Sequence, residues 1–230
     1  MEKAEPYKKR GKTKLIAFDW DGTLAKTQVK YSWALLNLEL GCEAEQKRIS
    51  DMYFSRKISY IEWCQKGVDL YIDRCLTEKK FYDIVKKNIS LHTGALETIN
   101  TLKNKGIKTG IISGGIYNVY EYFSRMYGLP MDYVSFSTKL IFDRDGRLVR
   151  GEYENYDYET DGKPKIFMKY CKNAGVSLDE AIYVGDSTND INVFKKATGI
   201  AFSSDSEELK KHAAHIIHGN DMRELLKYIS

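Results

Sequence analysis

Short apolar runs rich in β-branched and aromatic residues recur along this chain, and their spacing restricts the fold more than any other feature. Lys14-Leu15-Ile16-Ala17-Phe18, Ile107 to Ile112, Ala181 to Val184, Gly199 to Phe202 and His215 to Ile217 each have the length of a buried strand. Helical segments separate them. Strands that are apolar on both faces and alternate with helices predict an α/β fold, a doubly wound parallel sheet covered by helices on each side. Local punctuation agrees: Pro164 can open a helix through Lys165 to Asn173 that Gly175 ends. Asn220 or Asp221 can cap a closing helix, Met222 to Ile229. From Lys139 to Glu152 the pattern changes, and KLIFDRDGRLVRGE predicts a β-hairpin turning at Asp145-Gly146.

One connection is far too long. Between Leu24 and Ser113 lie 88 residues, whereas a whole βαβ unit needs only about 30. From Tyr31 to about Asn88 the pattern is helical, with Ile61, Cys64, Val68 and Tyr71 at helical spacing, so a small helical cap is expected there. The chain then divides into a basic N-terminal arm at 1–13, a core at 14–26 and 91–230, and a cap at 27–90. Trp33, Trp63 and Tyr71 read as the interior of that cap, without a functional role.

At 230 residues, 43% apolar and 30% charged, the chain suits a globular domain with a sizeable core. The net charge is +4, and Met1 to Lys14, with six basic residues against two acidic, accounts for all of it. The balanced remainder gives no broad footprint for nucleic acid. No apolar run approaches the roughly 20 residues of a membrane span, and MEKAEPYKKRGK lacks an apolar secretory core. A cytoplasmic protein without a membrane partner is expected. Cys42, Cys64, Cys75 and Cys171 form no CxxC pair and read as reduced thiols. His212, His215 and His218 lie near the last strand, away from the acidic strand ends, so no metal role is expected of them. The oligomeric state is left open.

The chemistry gathers where strands end. Asp19-Trp20-Asp21-Gly22-Thr23-Leu24 places two carboxylates two residues apart after the first apolar run; alone, such a loop could simply bind water and cap a helix. A second apolar run ends likewise in Gly185-Asp186, followed by Ser187-Thr188-Asn189-Asp190. Acids on neighbouring parallel strands can hold Mg2+, a hard cation that prefers oxygen ligands. A third strand end, Ile112-Ser113-Gly114-Gly115, offers a hydroxyl and glycine amides at the start of a helix, which suits a phosphate oxygen. Lys163, in Asp161-Gly162-Lys163-Pro164, would by itself be an exposed, solvated charge. Asp157, Glu159 and Asp161 read as decoration of a solvated loop beside it.

In this order DWDGTL, ISGG, Lys163 and GDSTND resemble the four motifs of the haloacid dehalogenase superfamily of phosphohydrolases, with its Rossmann-like core. The SGG at the second motif, the helical cap and the closing DMRELLKYI are similar to its phosphoserine phosphatase branch. The resemblance implies a Mg2+-dependent hydrolase of a small phosphomonoester. Asp19 would be the nucleophile that becomes an aspartyl phosphate, and Asp21 the general acid and then base. Mg2+ would be held by Asp19, the Asp21 backbone carbonyl and Asp186. Ser113, Gly114 and Lys163 would bind phosphate oxygens, with Lys163 favoured over Lys165. Asn189 would contact phosphate or substrate, and Asp190 would orient Lys163 or water around the metal.

Serine-directed members carry a glutamate after the first motif and an arginine in the cap. Here Gln28 and, in an approximate comparison, Gly67 stand at those positions, with Arg56 or Arg74 as substitutes if the register differs. These departures weaken serine specificity more than the reaction class. A phosphomutase or phosphotransferase would use the same aspartyl phosphate, and a noncatalytic phosphate-binding protein is the competing reading of another class. Retention of Asp19, Asp21, Lys163 and Asp186 together speaks against the latter.

Overall fold

In a computed structural model, residues 11–229 are described, so residues 1–10 of the expected basic arm lie outside the described residues. Strand β1 (Leu15–Phe18) shows why the sheet is central: all four side chains are fully buried. Ile16 and Phe18 join one apolar cluster and Leu15 and Ala17 the other, as alternation across a sheet requires. Burial of this kind stabilises by about 1.5–3 kcal/mol per large apolar side chain. A charge on either face of β1 would therefore be strongly destabilising.

After β1 the chain turns through Asp19 to Leu24 into a short strand β2 (Ala25–Thr27). Four helices follow, α1 (Ser32–Leu40), α2 (Glu43–Phe54), α3 (Tyr60–Asp73) and α4 (Glu78–Asn88), and β3 (Ile89–Leu91) returns antiparallel to β2. These helices form an insertion into the sheet fold. Their ends are written locally. Ser59 and Glu62 form a reciprocal capping box at the start of α3, and the Thr77 side chain accepts from Lys80 N–H at the start of α4. Gly41 ends α1 at φ 63°, a left-handed conformation that costs glycine little. The Tyr71 hydroxyl donates to Asn37 Oδ1 at 2.8 Å, tying α3 to α1.

The remainder alternates. Helix α5 (Ala95–Asn104) leads to β4 (Lys108–Ile116), then α6 (Tyr117–Tyr127), β5 (Tyr133–Phe142) and β6 (Leu148–Tyr153). Helix α7 (Gly162–Ala174), β7 (Ala181–Gly185), α8 (Ile191–Phe194), β8 (Thr198–Phe202), α9 (Glu207–His212) and β9 (His215–Ile217) complete it, with a 3-10 turn at Met222–Tyr228. The seven strands run in the order β6-β5-β4-β1-β7-β8-β9, parallel throughout except for β6. Helices α5 and α6 pack into the cluster with Ile16 and Phe18, and α7, α8 and α9 into the cluster with Leu15 and Ala17. This is the expected doubly wound α/β fold with a helical insertion. The strand order reverses at β1, between β4 and β7, and ligands bind at the carboxyl ends of strands beside such a switch point.

Two expectations are corrected and one is extended. Ser113 to Ile116 continue β4 rather than opening a helix, and the register with β5 shifts between Ser113 and Ile116, so the glycine pair makes an irregularity in a strand. The hairpin is present, β5 pairing antiparallel with β6 across the Asp145-Gly146 turn, but β5 begins earlier, at Tyr133, because its first half pairs parallel to β4. The closing segment is 3-10, not α, although Asp221 does cap it by accepting from Arg223 N–H. Among the described residues no helix is long and apolar enough to cross a membrane.

Candidate active site

The ends of β1, β4 and β7 meet at one cavity of about 620 Å³, whose other wall comes from the inserted helices α1, α2 and α3. Asp19 follows β1 directly. Its backbone N–H donates to Val184 O, and its Oδ1 accepts from Trp20 N–H at 2.6 Å. The turn that follows needs glycine: Gly22 has φ 80°, and a Cβ there would lie 2.2 Å from Asp186 Oδ2. Gly115 is tight as well, since its Cβ would lie 2.9 Å from Asp21 Oδ2. Backbone thus gives way to carboxylates from two sides.

Lys163 is fully buried, a correction to the exposed charge expected of it. Helix α7 begins one residue earlier and turns the side chain under the strand ends, while Lys165 points outward to pair with Asp161. The Lys163 ammonium donates to Asp19 Oδ2 at 2.6 Å, Asn189 Oδ1 at 2.7 Å and Asp190 Oδ1 at 2.7 Å. Its three donors are all used. Burial opposes its charge, but Asp19 and Asp190 outweigh that and hold its pKa above the ordinary lysine value. Asp190 is saturated as well, since its oxygens also accept from Tyr183 hydroxyl, Asp186 N–H and Ser187 N–H.

Two acids remain less committed. Asp186 accepts from the Thr23 hydroxyl at 2.9 Å, and Asp21 Oδ2 accepts from both Ser32 N–H and Ser32 hydroxyl at the first residue of α1. Asp21 Oδ1 is buried without a partner among the described residues. Burial pushes the Asp21 carboxyl up, with the Ser32 bonds opposing. Burial, reinforced by neighbouring carboxylates, raises Asp186 well above its ordinary value; Asp19 is raised too, although Lys163 opposes.

The chemistry of this donor set fits a divalent cation. Oxygens of Asp19, Asp186 and Asp190 lie within 4.8 Å of one another, and three carboxylates face a single ammonium. A doubly charged ion would neutralise that surplus, and hard oxygen donors suit Mg2+. With Asp190 occupied by Lys163, Tyr183 and backbone, Asp19 and Asp186 are the carboxylates able to turn to it.

Ser113 and Gly114 line the same cavity. Ser113 Oγ accepts from Gly115 N–H at 3.1 Å, which orients the hydroxyl, and Gly114 O accepts from Trp33 Nε1–H at 3.1 Å. All eight residues singled out in the sequence, Asp19, Asp21, Ser113, Gly114, Lys163, Asp186, Asn189 and Asp190, therefore gather at one place. Gln28 is exposed and does not line the cavity, and Arg74 pairs with Glu45 at 2.6 Å. A Cβ on Gly67 would already meet the Trp33 ring at 3.1 Å.

Several lining residues escaped the sequence reading. Trp33 and Trp63 belong to the cavity wall rather than to the interior of the insertion, and Tyr60 joins them; Tyr71 alone is fully buried as expected. Glu159 is not loop decoration, because it lines the cavity and its Oε1 lies 3.4 Å from Asn189 Nδ2. Its position four residues before Lys163 is the only sequence signal that could have marked it.

Comparison with known proteins agrees with this geometry. The haloacid dehalogenase-like hydrolase family matches residues 13–198. A phosphoserine phosphatase of Methanocaldococcus jannaschii is 35% identical over 219 residues, covering 95% of this chain and 98% of that protein. A solved phospho-aspartyl intermediate analogue of phosphoserine phosphatase superposes with a TM-score of 0.73 at 34% identity, over 96% of this chain and 100% of the other. A substrate-bound phosphoserine phosphatase complex gives 0.74 at 33% identity over the same shares. The chain belongs to the haloacid dehalogenase-like hydrolases. Its likeness within that family is to the phosphoserine phosphatases.

Proposed function

We propose that this enzyme is a Mg2+-dependent hydrolase of small phosphomonoesters that works through an aspartyl phosphate on Asp19. The observation that carries the reading is the pairing of two unlike carboxyls. Asp19 is held by Lys163 and Trp20 N–H, whereas Asp21, two residues on, keeps a buried oxygen with no partner among the described residues. The relatives named above, one of them solved as a phospho-aspartyl intermediate analogue, support it.

In the first step an Asp19 oxygen bonds to phosphorus, the ester P–O bond breaks, and Asp21 gives its proton to the departing alcohol. Burial of the Asp21 carboxyl raises its pKa and so favours its holding that proton. In the second step Asp21 takes a proton from water, the water oxygen bonds to phosphorus, and the bond to Asp19 breaks to release phosphate. Ser113 and Gly114 N–H hold the phosphoryl oxygens together with Lys163, which turns to them the donor it otherwise gives Asn189, while Asp190 keeps Lys163 in place. Bound at Asp19, the Asp21 carbonyl and Asp186, Mg2+ would neutralise charge on the transferring group.

The division of labour forms part of the proposal: 14–26 and 91–230 as catalytic core and 27–90 as a cap that excludes water. A cytoplasmic location is supported by four free cysteines, three of them buried. Phosphate release from p-nitrophenyl phosphate, with Mg2+ and with EDTA, tests the reaction. Turnover that EDTA leaves intact would remove the metal from the mechanism, and turnover by Asp19→Asn at the parent rate would remove the nucleophile.

A further inference from the structure

The proposed reaction leaves Glu159 unused. It lies between β6 and α7, lines the cavity beside Asn189, and its Oε1 is 4.0 Å from where a Cβ on Gly114 would stand, next to the place of the phosphate. Among the described residues no cationic side chain pairs with it, and the nearby Lys163 has already given its three donors to Asp19, Asn189 and Asp190. Burial pushes the Glu159 carboxyl up. A half-buried carboxylate that lines the cavity with no ion-pair partner among the described residues offers a place for a positive charge that arrives with something else.

The surrounding wall is aromatic. Tyr31, Trp33, Tyr60 and Trp63 line the cavity, and the charge of Glu159 is close enough to help raise the hydroxyl pKa values of Tyr31, Tyr53 and Tyr60. Trp33 is pinned across the opening by its bond to Gly114 O, and Trp63 stacks on Tyr53 at 4.5 Å. Ring faces attract cations, alkylated ammonium groups above all. Among the described residues no guanidinium lines the cavity to meet a carboxylate: Arg74 is engaged by Glu45, and Arg56 is exposed on the adjoining groove. Lys30 and Lys47 sit exposed at the mouth, Lys47 paired with Asp51.

We infer that the alcohol portion of the substrate carries an ammonium group and no carboxylate, with Glu159 and the rings of Trp33 and Tyr60 holding the charge. This names a substrate class for the phosphatase reading and rests on it. The ester bond broken and the groups that break it are unchanged.

The test compares phosphocholine with 3,3-dimethylbutyl phosphate, which has the same shape without the charge, using the whole enzyme with Mg2+. The expected kcat/KM ratio is at least ten in the unmodified protein and falls toward one in Glu159→Gln, with Trp33→Leu as a second variant should the first fail to fold. Phosphoethanolamine should also exceed phosphoserine by ten-fold or more. A ratio near one with both esters hydrolysed, an equal loss for both in Glu159→Gln, or a preference for phosphoserine would overturn the inference. Hydrolysis of p-nitrophenyl phosphate is measured alongside. Its absence would overturn the reaction itself and this inference with it, whereas its presence with a flat ratio overturns the inference alone.

Discussion

At the strand ends Lys163 and Asp190 are fully buried and Asp19 is 5% exposed, whereas on the opposite wall Tyr31, Leu38 and Phe54 are 45%, 49% and 66% exposed. The two sides of the cavity also differ in how their polar groups are met. Below, the donors of Lys163 and the acceptors of Asp190 are all engaged by protein, and Asp21 Oδ1, the oxygen left for proton transfer, is an exception among the described residues. On the facing side, and among the described residues, Gln46 Oε1 is buried with no partner and Glu159, from the segment between β6 and α7, has no ion-pair partner. A saturated network fixes geometry, as phosphoryl transfer requires, because its groups have no second arrangement of equal energy. An unsaturated aromatic wall leaves room for a ligand to complete it. Chemistry is thereby separated from substrate choice.

Substitutions on the two sides should then fail in different ways. The largest effect is expected at Asp19→Asn, which removes the nucleophile and should lower phosphate release by about 10⁴-fold or more for every ester, with circular dichroism unchanged. Asp21→Asn should cost about 10²–10⁴-fold, in formation and in breakdown of the intermediate, so rapid-quench experiments should find the two steps slowed together. If either variant lost one ester selectively, the separation would be broken. Trp33→Ala should instead change kcat/KM unevenly, by about ten-fold more for phosphocholine than for acetyl phosphate. A uniform loss would place Trp33 with the chemistry.

A stability measurement sharpens the same contrast from below. The folded pKa of Asp186 is raised well above the ordinary carboxyl value by burial and by the neighbouring acids. The stability associated with its proton is present at low pH and is lost as pH rises through that folded pKa. In metal-free protein at pH 7.5, Asp186→Asn should therefore raise stability by about 1–2 kcal/mol, a few degrees in Tm. The gain should vanish as pH falls toward 4, and Mg2+ should stabilise the parent but not the variant. A destabilised metal-free variant at pH 7.5 would contradict the surplus of negative charge at the strand ends.

How much of this was legible depended on range. The acids at Asp19, Asp21 and Asp186 each follow an apolar run with a glycine turn beside it, so strand, turn and carboxylate are all signalled within a few residues. Gly175 ends α7 and Asp221 caps the closing turn for the same local reason. Lys163 was chosen over Lys165 by its company, but its complete burial was not foreseen, because nothing within α7 states that three acceptors from β1 and from the segment after β7 converge on its tip.

The sequence by itself determined the alternation of strands and helices, the insertion and the acidic strand ends, since hydrophobic periodicity and turn chemistry act between near neighbours. Only the tertiary structure decided that Ser113 to Ile116 stay in the sheet, that Trp33 bonds to Gly114, and that Glu159 lines the cavity. Trp33 and Gly114 are 81 positions apart, and Glu159 and Asn189 are 30. Contacts at those separations are set by how the inserted helices and the segment between β6 and α7 settle on the sheet, and no local pattern carries that information.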